Sequence, residues 1–206
     1  MANKILEIPN AYEELSIRSE IGLMSYHGGT LEKATDAIAR ETAEQSGASY
    51  YGLIQTNDDP LHFPSTELFE YASNNLNVFF QHIRVVITIH GYGRESLFHS
   101  VLLGGRNRAL ASHIASFLKM ALPDYSFEND LDGIPKELRG LHPKNPVNIP
   151  EFAGVQVELP PTLRWNREEW GWSDNGGIGR AKHVDDIIHA LSEAIKALPL
   201  KTYLNE

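Results

Sequence analysis

Residues 21–44 read IGLMSYHGGTLEKATDAIARETAE, and a change of period inside this stretch decides the fold. Residues 21–26 are a short apolar run ending in His27-Gly28-Gly29. Residues 30–44 then place Leu31, Ala34, Ile38 and Ala39 at helical spacing, with Thr30 as the expected N-cap. A strand, a glycine turn and an amphipathic helix make the first half of a β-α unit.

The same alternation recurs outward from it. Residues 49–55 (SYYGLIQ) read as a strand, and 65–80 as a helix opened by Ser65-Thr66. Residues 84–89 (RVVITI) are nearly all β-branched and end in His90-Gly91. Residues 96–103 (SLFHSVLL) are a further strand ending in Gly104-Gly105, and 106–122 a long helix. Residues 154–159 (GVQVEL) are a late strand closed by Pro160-Pro161, and 184–198 a last helix with Ile187, Ile188, Leu191 and Ile195 on its apolar face. The expectation is a single α/β domain over residues 1–206, with a mixed, largely parallel sheet covered by helices on both faces. Residues 130–150 and 166–182 fit neither period and read as long surface loops, a length that often belongs to a site.

The chain has 206 residues, 42% of them apolar, enough for a sizeable core. Its formal charge is −9, which opposes nucleic acid as a partner. No run approaches the roughly 18 apolar residues that span a bilayer. The first eight residues, MANKILEI, lack a signal core, so a soluble cytosolic protein is expected. Cysteine is absent, so any metal must be held by His, Asp or Glu.

In an open parallel sheet, ligands bind at the carboxyl ends of the strands. Three strand ends here carry His27, His90 and Glu158, and Glu32 falls in the first turn of the helix after His27. Two histidines and a glutamate leave a fourth zinc position open for water, and a further carboxylate, Glu158, would move the proton. Singly these features are ordinary: a strand-end His commonly makes a structural hydrogen bond, and an acid in a first helical turn complements the helix dipole. Their combination points to a hydrolytic metal site.

These residues also carry a family resemblance. His27-Gly28-Gly29-Thr30-Leu31-Glu32 resembles the HGGxxE motif of the poly-γ-glutamate hydrolase family, known from phages and bacilli. Ile87–Gly91 (ITIHG) and Gly154–Leu159 resemble its second His motif and its GVQLEL segment. Leu61–Thr66 (LHFPST) and Leu103-Gly104-Gly105 fall in order between them. The resemblance covers about residues 20–165 and implies a zinc carboxypeptidase-like fold. It implies one zinc on His27, Glu32 and His90, Glu158 as general base, and hydrolysis of amides made through a glutamate γ-carboxyl. It also implies Arg164 as a carboxylate-binding arginine. The family has an Asn-Arg pair where this chain has Asn148-Ile149, so either Arg106, Arg108, Arg139 or Arg164 supplies the missing cation or the substrate is not poly-γ-glutamate. His62 and Tyr92 are further candidates for the pocket, Tyr92 as a donor to a tetrahedral intermediate. Trp165, Trp170 and Trp172 are expected to pack the C-terminal loop onto the domain.

Two rival readings remain open at this point. One is a zinc amidohydrolase or deacylase acting on a different acidic amide. The other is a binding module without turnover that uses the cleft and the Trp-rich loop. A phage-encoded hydrolase of this kind would be released by lysis.

Overall fold

The computed structural model describes residues 8–71, 73–174 and 179–198. Seven strands form one sheet: β1 (Ala11–Ser16), β2 (Ile21–Gly29), β3 (Ser49–Gln55), β4 (Val85–Gly91), β5 (Ser100–Gly104), β6 (Ser126–Glu128) and β7 (Gly154–Leu159). Their order is β1-β3-β2-β4-β7-β5-β6. The pairs β2–β3, β2–β4, β4–β7 and β5–β6 are parallel, whereas β1–β3 and β5–β7 are antiparallel. The expected mixed, largely parallel sheet is what forms.

Strand alternation sorts the core into two layers. Ile21, Leu23, Ile87, Ile89, Val155 and Val157 face one side. There they meet α1 (Thr35–Ser46), α4 (Arg108–Ala121) and α6 (Lys182–Lys196). Met24, Tyr26, Tyr51, Leu53 and Val86 face the other side. That layer is covered by α2 (Leu68–Tyr71), α3 (Asn74–His82) and buried Val147. The β2-to-β3 crossover therefore lies on one face and the β3-to-β4 crossover on the other. Chain order reverses between β2 and β4, which opens a crevice at their carboxyl ends.

Several boundaries differ from the sequence reading. The first helix starts at Thr35, not Thr30, because Ala34 takes a left-handed φ of 70°. Thr30 instead donates its hydroxyl to the carbonyls of Gln55 and Asn57. The expected helix over 65–80 is broken into a 3-10 turn, α2 and α3, and Ser73 caps α3 by accepting from the Asn75 amide. Residues 95–97 are a 3-10 turn, so β5 begins only at Ser100. The long helix starts at Arg108, because Asn107 caps it by accepting from the Leu110 amide.

The segment 130–150 is not a surface loop throughout: Asn145, Pro146 and Val147 are buried. In the second long segment, α5 (Pro161–Arg164) leads into a small hairpin of β8 (Trp165–Asn166) and β9 (Gly171–Trp172). Trp165 and Trp172 meet edge to face, whereas Trp170 is 81% exposed and does not pack as expected. Residues 175–178 of that segment, and most of the N-terminal stretch, lie outside the described residues.

Candidate metal centre and catalytic cleft

The crevice is a cavity of about 530 Å³. His27, Glu32, His62, His90 and Glu158 all line it, together with Lys136, His142, Asn145 and Gln156. β4 and β7 deliver their residues by register: His90 lies opposite Glu158 and Thr88 opposite Gln156. With a period of two, these side chains share the face opposite the aliphatic layer of Ile87, Ile89, Val155 and Val157.

His27 needs a different device. Tyr26 already faces the layer shared with Val86, so simple alternation would turn His27 away. The β2–β3 register steps from Ser25↔Gly52 to Gly28↔Ile54, which inserts one extra residue in β2. An insertion of this kind re-aims a side chain. The His27 ring accordingly lies 5.3 Å from that of His90 and 5.1 Å from that of His62. Gly29, at φ 77°, then returns the chain so that the Glu32 amide bonds the His27 carbonyl. Glu32 thus sits in the turn before α1 rather than in its first helical turn.

Glu32 bridges the two imidazoles. Its Oε1 lies 2.9 Å from His27 Nδ1, and its Oε2 lies 3.2 Å from His90 Nδ1 and accepts from the Gly91 amide at 2.9 Å. His27, Glu32 and His90 form a group whose ligand atoms lie within 4.8 Å of one another. The donor set fits a metal ion. His27 Nε2 lies 3.1 Å from the Phe63 carbonyl, which fixes its proton there and leaves Nδ1 a lone pair. A lone pair set against a carboxylate oxygen is stable only with a cation between them, a proton or a metal. His90 Nε2 is buried without a hydrogen-bond partner among the described residues.

The electrostatics follow from this crowding. Burial opposes the charge of Glu32, but His27 and His90 together outweigh it and hold the carboxyl well below the usual range. Burial works against a proton on His90, yet the Glu32 carboxylate raises its pKa. For Glu158 burial dominates: the attraction of His90 does not offset it, and the carboxyl is pushed up to about 7. Burial, helped by His27, lowers the His62 pKa, favouring the neutral ring.

The remaining candidates sit behind the residues that line the cavity or beside them. Arg164 is buried behind Gly91, donates Nη1 to the Lys33 carbonyl at 2.8 Å and lies 5.1 Å from the Trp172 ring. A Cβ on Gly91 would come within 2.5 Å of its guanidinium carbon. Arg106 is exposed and near the start of β7, because β5 runs antiparallel and carries residues 104–106 away from the crevice. Its guanidinium donates to the Leu141 carbonyl. Asn148 accepts from the Arg106 amide and donates to the carbonyls of Gly140 and His142. Arg139 donates to the carbonyl of Ile134. The Tyr92 hydroxyl is turned to the carbonyls of Leu97 and Ser100, at 2.7 and 2.5 Å. None of these five residues is among those lining the cavity.

Sequence reasoning missed Lys136, His142, Asn145 and Gln156. For Gln156 a signal existed: it precedes Glu158 by two and shares its strand face. The other three sit in the aperiodic segment, which carries no comparable pattern.

A family model described as poly-gamma-glutamate hydrolase matches residues 7–169. The SPbeta prophage-derived UPF0714 protein YoqZ of Bacillus subtilis (strain 168) is 29% identical over 79% of this chain and 57% of its own length. The UPF0714 protein YndL of the same organism is 26% identical over 71% of this chain and 55% of its own. The chain thus spans a little over half the length of these curated relatives. In fold it resembles a bacteriophage poly-gamma-glutamate hydrolase (TM-score 0.73, 20% identity, covering 90% and 87% of the two chains). It likewise resembles a zinc-free YndL structure (TM-score 0.73, 19% identity, 93% and 92%).

Proposed function

This chain belongs to the poly-gamma-glutamate hydrolase family, and on that premise we propose that it is a zinc-dependent hydrolase of amide bonds made through a glutamate γ-carboxyl. The observation that carries the reading is the convergence of His27, Glu32 and His90 in one cavity with a buried, proton-avid Glu158. His27, Glu32 and His90 would hold one zinc ion. When bound, that ion supplies Lewis acidity to the amide carbonyl and to water. The zinc-free YndL structure and a Burkholderia cenocepacia metallo-carboxypeptidase with similar fold (TM-score 0.50) are in keeping with this choice of metal.

The chain's own groups divide the remaining work. Glu158 accepts a proton from the attacking water and returns it to the leaving amine, a task suited to a carboxyl that titrates near neutrality. Neutral His62 offers a hydrogen-bonding group beside His27. Among the described residues that line the cavity, the Lys or Arg side chain is Lys136. Lys136 therefore joins Arg106, Arg139 and Arg164 as a candidate partner for a substrate carboxylate.

The test combines metal analysis with a poly-γ-glutamate chain-shortening assay. Purified protein should carry about one zinc per chain by the three-ligand geometry and lose hydrolysis on chelation. Glu158→Gln should retain the zinc and lose turnover. Full activity after exhaustive chelation would sink the reading. A second reading, a deacylase on short acidic amides, is favoured by the absence of an arginine among the described residues that line this cavity. It predicts release from acyl amino acids without shortening of the polymer.

A further inference from the structure

Gln156 is buried on the rung before Glu158, and every polar atom of its side chain is engaged. Its Nε2 donates to Glu158 Oε1 at 2.8 Å and to the Leu138 carbonyl at 3.2 Å. Its Oε1 accepts from Asn145 Nδ2 at 3.0 Å. Asn145 is fixed in turn, because its Oδ1 accepts from the Val147 amide at 3.1 Å. This chain admits one orientation of each amide: flipping Gln156 would set its oxygen against the carboxylate and against a carbonyl. Gly140 closes over the same group. It takes φ 63°, and a Cβ there would lie 2.7 Å from Gln156 Oε1. Among the described residues Glu158 Oε2 has no such partner, while Glu158 lines the cleft.

We infer that Gln156 is a positioning residue for Glu158: its amide ties Oε1 to the strand and to the 138–147 segment and leaves Oε2 as the working oxygen. The inference rests on the proposed role of Glu158 as the proton carrier. A carboxylate free to rotate would spend time with neither oxygen aimed at the reacting water, so loss of the tie should appear in kcat rather than in KM.

The test uses the zinc-loaded chain with poly-γ-glutamate as substrate. Gln156→Glu keeps an acceptor for Asn145 and, when ionised, removes both donors; Gln156→Met removes all polarity at similar length. Each should lower kcat by roughly 10- to 100-fold, the range for groups that orient reactive ligands. KM should change by less than about threefold, with zinc content unchanged. Asn145→Ala should lower kcat less, and adding it to Gln156→Met should cause no further loss, since both act in one network. The hydrogen bond is read independently by NMR on metal-free protein. The Gln156 side-chain amide protons should exchange slowly, and their resonances should move in Glu158→Ala.

A kcat within about twofold of wild type, a loss confined to KM, additive effects with Asn145→Ala, or fast exchange of those amide protons would overturn the inference. If the wild type does not hydrolyse the polymer, the functional reading falls. The exchange and resonance measurements then decide the tie between Gln156 and Glu158 on their own.

Discussion

Gly29 and Gly47 share a backbone conformation, φ 77° and 76°, yet an added methyl group meets very different surroundings. At Gly47, which ends α1, a Cβ would find nothing within 4 Å. At Gly29 it would lie 2.1 Å from the Gln55 carbonyl oxygen and 2.9 Å from Ile54 Cγ2. Both alanine variants carry the left-handed strain of an L-residue, ~1–2 kcal/mol. Both regain ~0.4–1 kcal/mol from a less flexible unfolded chain. These contributions cancel in the difference, leaving the overpacking at Gly29. A backbone oxygen in a ladder cannot rotate away, so ~1–3 kcal/mol is expected. With a urea m-value of ~2 kcal/mol/M, Gly29→Ala should melt about 0.5–1.5 M below Gly47→Ala. Because Gly29 lies between His27 and Glu32, the shift that relieves the clash should also part those ligands. Zinc affinity should fall by about 10- to 100-fold in Gly29→Ala and stay at the wild-type value in Gly47→Ala. Equal urea midpoints for the two variants, or wild-type zinc binding by Gly29→Ala, would refute the reasoning.

Tyr92→Phe should leave kcat unchanged in the polymer assay and lower stability by about 1 kcal/mol, because its hydroxyl serves the carbonyls of Leu97 and Ser100. Leu23→Ala, in the fully buried layer between the sheet and α1, should lower unfolding free energy by about 2–5 kcal/mol in urea titrations. Zinc added at 100 times its Kd should raise the unfolding free energy by ~2.7 kcal/mol, read as a higher melting temperature by calorimetry. His90→Ala should abolish that rise.

Periodic segments were legible and aperiodic ones were not. β3 and β7 take the bounds that the sequence predicts, because SYYGLIQ is a short apolar and aromatic run and GVQVEL alternates Val155, Val157 and Leu159 with Gly154, Gln156 and Glu158. β1 was missed because AYEELS carries two acids, as an edge strand can. Those acids act locally: Glu13 accepts from the Tyr51 hydroxyl at 2.5 Å and from the Ser73 amide at 2.9 Å. Strand direction is not written in side-chain period, so β5 could not be known to run backwards. That reversal places Arg106 near the start of β7, where its guanidinium reaches the Leu141 carbonyl rather than the carboxyl ends of the parallel strands. The candidate metal triad was visible as HGGTLE and ITIH, but the extra residue in β2 that aims His27 was not. It follows from the register with β3, a property of the pair rather than of either segment. Lys136, His142 and Asn145 enter the cleft through the 130–150 segment, a succession of local turns and two 3-10 helices with no period to betray which side chains face inward.

The pairing of His90 with Glu158 across two neighbouring strands also has a bearing on how the molecule folds. The two residues are 68 positions apart, so the rung forms only after a long loop has closed, a slow and late event. A slip of one residue in β7 would turn the Glu158 carboxylate into the aliphatic layer of Ile87 and Ile89 and present a valine to the cleft. A misthreaded chain would therefore lose the proposed proton carrier and bury an unpaired charge in the same stroke. Hydrolytic competence in a refolding experiment thus doubles as a vernier for strand alignment, sensitive to a displacement of one residue that circular dichroism would not register.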